Sequence, residues 1–313
     1  MTTNFKNGLE VFGAPILPGA GGNIFTGNVF FVDSGSPTSS DEAGQGTKKT
    51  APFSTLDFAV GQCTANNGDL IIVMPGHVET VIAAGGLDLD VAGITILGLG
   101  SGSDRPTVNF TTAVGADMDV DAANVTIGNV LFTGGIDALT GPIDVNAADF
   151  KMLGCETRDV TGQATDFIVT DANADRFECL DWVHRGAAAA GAATAMSIVG
   201  GDNITIIPRF VDGNFSVGCI ENVTTAAVNL QVFGRGDYPA YMRTRNAADV
   251  IVTCVATTTG RQGPFLNARL QDNAANITEA FVGADMNFYQ PINLSNLDGE
   301  SSMQTNITAS TDA

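Results

Sequence analysis

The sequence predicts an all-β fold, a single-stranded, right-handed parallel β-helix, and three observations predict it. A short polar turn feeds an apolar, strand-like stretch eight times, and the 183 residues from the first copy to the last, divided by seven steps, give a mean period of about 26. Within the copies, apolar and polar residues alternate, and 37 glycines punctuate the chain, many of them at the turns. A unit of this length cannot bury its own apolar face, so each copy must stack on its neighbours.

The repeat positions are the apolar residues that directly follow each turn. They are Ile94, Val125, Phe150, Phe177, Ile204, Val228, Val250 and Ile277. Alternation rich in Val, Ile, Thr and Phe, as in residues 125–132, is typical of strands rather than helices. The frame of leucine-rich repeats, which can have a similar period, is missing. Short parallel strands stacked in coils are the remaining solution, with right-handed crossovers expected.

The chain divides into three predicted sections. Residues 1–29 form an extended arm, residues 30–285 form the β-helix, and residues 286–313 form a polar tail that should cover the last coil. The open end of a solenoid exposes apolar core and unpaired backbone. A capping helix within about residues 50–65, running from about Ser54 to Cys63, should close the first coil, with Ser54 or Thr55 as its N-cap.

The arm mixes proline, glycine and large apolar side chains without any period. Such a segment cannot fold alone, and its apolar residues should be buried by the body, a sister subunit or a docking surface. We interpret it as an anchoring arm. Its predicted interface residues are Phe5, Leu9, Phe12, Ile16 and Leu17.

Composition excludes several function classes. The 14 basic and 34 acidic residues give a net charge of −20, which repels phosphate and argues against binding to nucleic acid. No apolar run approaches the roughly 18 residues of a membrane span, and the first residues lack a signal peptide, so synthesis in the cytoplasm is expected. The five cysteines include no CxxC pair, so we expect small buried apolar side chains rather than zinc ligands or disulfides.

Acidic residues recur at fixed distances before the repeat positions. Six residues before them lie Asp88, Asp119, Asp144 and Asp171, and four before them lie Asp90, Asp121, Asn146 and Asn173. Stacked equivalents in a sheet are about 4.8 Å apart, so two polar columns should follow one face. The residues between the columns should point into the core: Leu89, Val120, Val145 and Ala172.

Three interpretations of these columns remain open. They are a solvated ladder, which we favour, a structural cation site suited to calcium, and a pair of catalytic carboxylates of the kind used in glycoside hydrolysis. No His, Arg or Lys accompanies the columns, and one Trp and three Tyr are few for a sugar-binding groove. His77 and His184 are expected to be structural or exposed rather than a catalytic pair.

Two stretches near the start carry a resemblance to a known superfamily. TAPFSTLDFAV from Thr50 and GDLIIVMPGHVET from Gly68 resemble the opening of pectate-lyase-like parallel β-helix proteins. Together with FFVDSG from Phe30 and the arm, they resemble small β-helix structural proteins of tailed-bacteriophage virions.

The resemblance implies a function without catalysis. It implies a capsid decoration or spike component that is assembled in the host cytoplasm, and no cofactor is expected. It also implies a homotrimer in which the β-helix is a rigid spacer and the arm anchors it to the virion shell or to other phage structural proteins. The alternative is a carbohydrate-active or carbohydrate-binding tailspike-type protein, a polysaccharide hydrolase or lyase working along the acidic face.

Overall fold

A computed structural model of the chain describes residues 27–159, 164–223, 229–234 and 241–244. Outside these ranges it gives only the bounds of short strands. The arm residues Phe5, Leu9, Phe12, Ile16 and Leu17 and the tail at 286–313 therefore lie outside the described residues. Within these ranges, neither the α-helix nor the single 3-10 turn is long and apolar enough to cross a membrane.

The strands, numbered β1–β26 in chain order, form three faces. Face A contains β3 Val29–Val32, β4 Leu70–Val73, β7 Thr95–Gly98, β10 Thr126–Gly128, β13 Lys151–Leu153, the first halves of β16 Glu178–Arg185 and β18 Thr205–Gly213, and β20 Gln231–Val232. Face B contains β5 Val78–Val81, β8 Thr107–Phe110, β11 Leu131–Gly134, β14 Glu156–Asp159, the second halves of β16 and β18, β21 Tyr241–Thr244, β23 Arg269–Gln271 and β25 Asn293–Ser295. Face C contains β6 Leu87–Asp88, β9 Met118–Val120, β12 Ile143–Val145, β15 Asp166–Thr170, β17 Thr194–Ile198, β19 Gly218–Asn222, β22 Val252–Cys254 and β24 Phe281–Val282.

Strand pairing confirms the parallel β-helix. On each face, a strand pairs in parallel with its equivalent one coil earlier and one coil later, as β10 does with β7 and β13. The antiparallel pairs lie at the chain ends, between β1 Glu10–Val11 and β2 Ala14–Pro15 and between β25 and β26 Ser301–Ser302. The right-handed sense of the coils stays a prediction.

A left-handed backbone corner explains the polar turn of the six repeats that the structure describes. The residue directly before each inward repeat position has a positive φ, between 57° and 75°: Gly93, Asn124, Asp149, Arg176, Asn203 and Asn229. Only glycine, and to a lesser degree Asn and Asp, adopts this conformation readily. Arg176 is the exception, and its Nε and Nη2 each donate to the Asp149 carboxylate of the preceding coil at 2.7 Å.

Five repeat positions are confirmed as one buried column. They are Ile94, Val125, Phe150, Phe177 and Ile204. The sixth assignment, Val228, was wrong: Gln231 pairs with Thr205, so buried Leu230 occupies the level of Ile204. The step from Ile204 to Leu230 is 26 residues, which matches the mean period, whereas the step to Val228 was two residues too short. Val228 itself, Val250 and Ile277 lie outside the described residues.

Aromatic side chains stack along the interior. The rings of Phe150 and Phe177 are 5.6 Å apart and nearly parallel, at 9°, and those of Phe110 and Phe132 are 6.5 Å apart at 14°. Phe150 and Phe177 are equivalent positions on successive coils, whereas Phe132 pairs with Val108 and stacks on Phe110, which lies two residues further along that strand. The interior is therefore one continuous core that links successive coils.

The predicted capping helix is present and shorter than expected. Helix α1 covers Leu56–Val60, and the Thr55 hydroxyl accepts a hydrogen bond from the Phe58 amide, which confirms Thr55 as the N-cap. Glu79 ties the helix to the first coil, because its Oε2 accepts from the Leu56 amide at 2.8 Å. The same oxygen lies 3.0 Å from His77 Nε2, while the Ser34 amide donates to His77 Nδ1. His77 is thus a buried structural residue.

The cysteines within the described residues are unpaired. Cys155, Cys179 and Cys219 are buried in the core, and Cys63 is half-buried beside the capping helix. Burial raises the pKa of the Cys155 thiol to about 11. These thiols act as small apolar side chains, as expected.

Candidate functional site

Three of the predicted carboxylates form a column on face C. Asp119 pairs in register with Asp88 on one side and with Asp144 on the other. Each lies between buried neighbours in its strand, because residues two apart share a face and the residues between them point inward. The buried side chains between the two columns include Leu89, Val120 and Val145, as predicted.

The fourth member, Asp171, was assigned to the wrong column. Asp144 pairs with Val169, and Val145 pairs with Thr170, so Asp171 continues the second column, level with Asn146. The turn before Phe177 contains two more residues than the turn before Phe150, so counting back six residues fails there. Thr170 is buried in the place predicted for Ala172, which is exposed.

The second column contains Asp90, Asp121, Asn146 and Asp171. Asn146 Nδ2 donates to Asp121 Oδ1 at 3.1 Å, which confirms that these two are neighbours. Asn173, predicted for this column, instead lies in the turn, where its amide donates to Asp171 Oδ1 at 2.6 Å.

Sequence reasoning missed one carboxylate of the cluster, Asp117. Its Oδ1 accepts a hydrogen bond from the Gly85 amide at 2.6 Å. Asp117, Asp119 and Asp121 alternate with buried Ala116, Met118 and Val120, so all three share the outer face of one coil. That alternation was the signal that could have found it.

Partial burial, followed by crowding, raises the pKa of several of these carboxyl groups. Partial burial, aided by Asp117 and other neighbouring carboxylates, raises the pKa of Asp119 and of Asp144 to about 6. Burial followed by repulsion from Asp90 raises the pKa of Asp88 as well. None of the ion pairs among the described residues involves Asp88, Asp119 or Asp144. In the same part of the chain, no three His, Cys, Asp or Glu side chains have the arrangement of a metal site.

Replacing both Asp119 and Asp144 with asparagine should stabilise the protein at pH 7. A carboxyl group whose pKa is higher in the folded chain than in the unfolded chain stabilises the fold at pH values below its unfolded pKa, near 3.9. This stabilisation is lost as the pH rises through the folded pKa of about 6. Because both groups are partly solvated, we expect a gain of about 1 kcal/mol per site at pH 7, and little below pH 4. Urea denaturation at the two pH values measures the difference.

The control for the Asp119 and Asp144 double variant is Asp137→Asn, at an exposed turn of the same coil as Asp144. It should change the free energy of unfolding by less than about 0.5 kcal/mol. A loss of stability in the double variant, together with a lower Tm of the unmodified protein in EDTA, would contradict the ladder and indicate a bound cation.

A second cluster, of arginines, lies on face B. Glu156 Oε1 accepts from Arg158 Nε at 2.7 Å and from Arg185 Nε at 3.1 Å, while its Oε2 accepts from Arg105 Nη1 at 3.1 Å. Arg158 and Arg185 pair in register on neighbouring coils. Sequence reasoning missed this cluster, although Arg158 and Arg185 are as far apart as Phe150 and Phe177.

An aromatic and cationic ladder continues from this cluster. The Arg185 guanidinium lies 5.1 Å from the centroid of the Phe210 ring, which stacks on the Tyr241 ring at 5.0 Å and 6°. Arg243 lies 5.9 Å from the Tyr241 ring and binds Asp212 through Nε and Nη2. The guanidinium groups and rings hold one another in place along the outside of the coils.

His184 lies inside the core behind these arginines. Its ring contacts Phe167, Trp182 and Phe215, and Nδ1 is 2.8 Å from Thr157 Oγ1. Burial lowers the pKa of His184 to about 3, so the ring is neutral at physiological pH. His77 and His184 lie on different coils and do not form a pair.

Comparison with known proteins adds a likeness in fold. No protein-family model matches the chain, and no curated protein matches it in sequence. Among solved structures, the chain is similar to a rhamnogalacturonan lyase, with 12% identity, 88% of each chain covered and a TM-score of 0.45. At this level the likeness concerns the fold alone, which the strand register above establishes independently.

Proposed function

We propose that the chain is a non-enzymatic structural component of a tailed-bacteriophage virion, a capsid decoration or spike protein. In this proposal the β-helix is a rigid spacer, and the N-terminal end attaches it to the virion shell or to other structural proteins. The observation that carries the proposal is an apolar cluster on the outside of the first coils, where the chain enters the solenoid.

The outer cluster is separate from the core. Ile71 and Val73 of β4 point into the core, whereas Leu70 and Ile72, which alternate with them, are buried on the opposite face. Around these two pack the partly buried side chains of Val29, Phe31, Met74 and Leu97. Leu70 and Ile72 are only 0% and 5% exposed, so this face is already covered within the chain, and we propose that it seats the segment that attaches the β-helix to the particle.

The rest of the body suits a spacer. Successive coils of the described part are hydrogen-bonded in parallel, and stacked rings such as Phe150 and Phe177 join them through the interior. Repeats coupled in this way transmit force along the axis, because each coil is stabilised by both of its neighbours. A homotrimer would protect exposed strand edges and fix the spacer upright on the particle.

Deleting residues 2–26 should abolish incorporation into virus particles and leave a soluble, folded β-helix. The deletion stops there because the Asn28 amide donates to Asp69, and β3 begins at Val29. Apolar side chains of the arm gain roughly 25 cal/mol per Å² on burial, so losing Phe5, Leu9, Phe12, Ile16 and Leu17 removes the main attachment energy. Electron microscopy of particles complemented with each form measures occupancy, and circular dichroism measures folding.

A matched pair of point variants separates the attachment surface from general surface effects. Leu97 and Leu153 occupy the same outward position on face A, two coils apart, with Gly128 between them. Leu97→Asp should reduce occupancy, whereas Leu153→Asp should not. Full occupancy of the truncated protein would reject anchoring through the arm, and cleavage of host polysaccharide by the intact protein would favour the carbohydrate-active alternative.

A further inference from the structure

The arginine cluster of face B has more positive charge than its carboxylates neutralise. Glu156 serves three guanidinium groups at once, those of Arg105, Arg158 and Arg185. Asp212 pairs in register with Arg185 but is bound by Arg243, so Glu156 is the carboxylate that these three guanidinium groups share. A net positive cluster is notable in a chain whose total charge is −20.

The three arginines differ in how fully they are bound. Arg105 is 15% exposed and also donates to Asn129 Oδ1 and to the Gly154 carbonyl. Arg158 and Arg185 are 45% and 56% exposed, and each uses only Nε. Their Nη1 and Nη2 groups have no hydrogen-bond partner among the described residues.

Other arginines of the described part bind carboxylates of their own, and one of them, Arg209, also contacts its partner, Asp181, through Nε, at 3.5 Å. Arg176 binds Asp149, and Arg243 binds Asp212, in each case through both Nε and Nη2. Their carboxylate partners occupy one whole edge of the guanidinium group. Arg158 and Arg185 instead share a single Glu156 oxygen, which leaves a donor fork, made of Nη1 and Nη2, on each guanidinium group.

The forks are held in position without a ligand. Both Nε atoms are fixed by the same oxygen, and the Arg185 guanidinium also lies over the Phe210 ring. Little side-chain freedom would be lost when an anion binds, which favours affinity. Planar guanidinium forks match oxyanions with two or more acceptor oxygens.

We propose that Arg158 and Arg185 form a binding site for an oxyanion of the phosphate or sulfate class. Each guanidinium donates from its Nη groups to the anion, and Glu156 keeps the two side by side. A tetrahedral oxyanion offers enough acceptor oxygens for both forks, and its charge is balanced by the excess of the cluster. The anion is either a free ion or a phosphate or sulfate group carried on a sugar.

Titration with inorganic phosphate tests the site. The Tm of the whole chain should rise with phosphate at constant ionic strength, with chloride as the replaced anion, because a ligand that binds the folded state stabilises it. R158Q and R185Q should each weaken binding at least tenfold, as measured by calorimetry, and the double variant should abolish it. R176Q is the matched control and should bind as the unmodified protein does.

Lysine variants and a sugar phosphate distinguish the remaining outcomes. R158K and R185K retain the charge without the fork, so they should also bind weakly, and they replace the glutamine variants if those do not fold. Glucose 6-phosphate binding more tightly than inorganic phosphate would assign the site to a sugar-borne group, and equal affinity would assign it to the free ion. Equal Tm in phosphate and chloride, or equal weakening by R176Q, would overturn the proposal. Particle incorporation does not depend on this result.

Discussion

Replacing Phe177 with alanine should lower the free energy of unfolding by about 4 kcal/mol. The Phe177 side chain is fully buried, and its ring stacks on that of Phe150 at 5.6 Å, so truncation removes apolar burial and leaves a cavity between two coils. Urea denaturation followed by circular dichroism measures the loss.

The conservative control is Phe177→Leu, which should cost less than about 1.5 kcal/mol because most of the volume is kept. Adding Phe150→Ala to Phe177→Ala should cost less than the sum of the two single losses, since both rings line the same cavity. Hydrogen exchange should show the lost protection in β13 and β16 before it reaches β4, because each coil depends on its neighbours. A Phe177→Ala loss no larger than that of Phe177→Leu would contradict the role of the stack.

Replacing Glu156 with glutamine should destabilise the protein by about 3 kcal/mol. The side chain is 11% exposed and accepts three charged hydrogen bonds. Glutamine keeps the shape but turns one acceptor into an NH₂ donor that faces an arginine, and it leaves the three guanidinium charges without a compensating carboxylate. The change in urea midpoint measures the effect.

Glu178→Gln is the control for this variant, because the ion pair of Glu178 with Lys151 is solvent-exposed and should contribute less than about 1 kcal/mol. If Arg158 and Arg185 bind an oxyanion, phosphate should restore part of the stability that Glu156→Gln loses and none of what Phe177→Ala loses. A Glu156→Gln variant as stable as the Glu178→Gln variant would show that the carboxylate does not hold the arginines together.

The corners of the fold were predictable from local sequence. A residue such as Asn124 or Asn203 takes the left-handed conformation, and the next residue, Val125 or Ile204, points inward. Both preferences belong to single residues and their immediate neighbours, so they are visible without the structure. The same holds for Thr55, whose hydroxyl caps a helix that begins one residue later.

The candidate sites were predicted less completely. Asp88, Asp119 and Asp144 were placed correctly because the turns after their strands have equal lengths. Asp171 was misplaced because the next turn is two residues longer, and only the hydrogen-bonded pairing of β12 with β15 reveals the shift. Side chains of a strand alternate between two faces, so an insertion of two residues leaves the alternation unchanged and cannot be detected from it.

The sequence by itself determined the class of fold, the capping helix and the first three acidic residues of the column, because each depends on short-range preferences repeated at a nearly constant period. The arginine cluster was decided only by the tertiary structure. Arg105 and Glu156 are 51 residues apart and lie on different coils, and their contact depends on the lengths of every turn between them. Stacking in register is what converts such distant residues into neighbours, because each coil sets the position of the next.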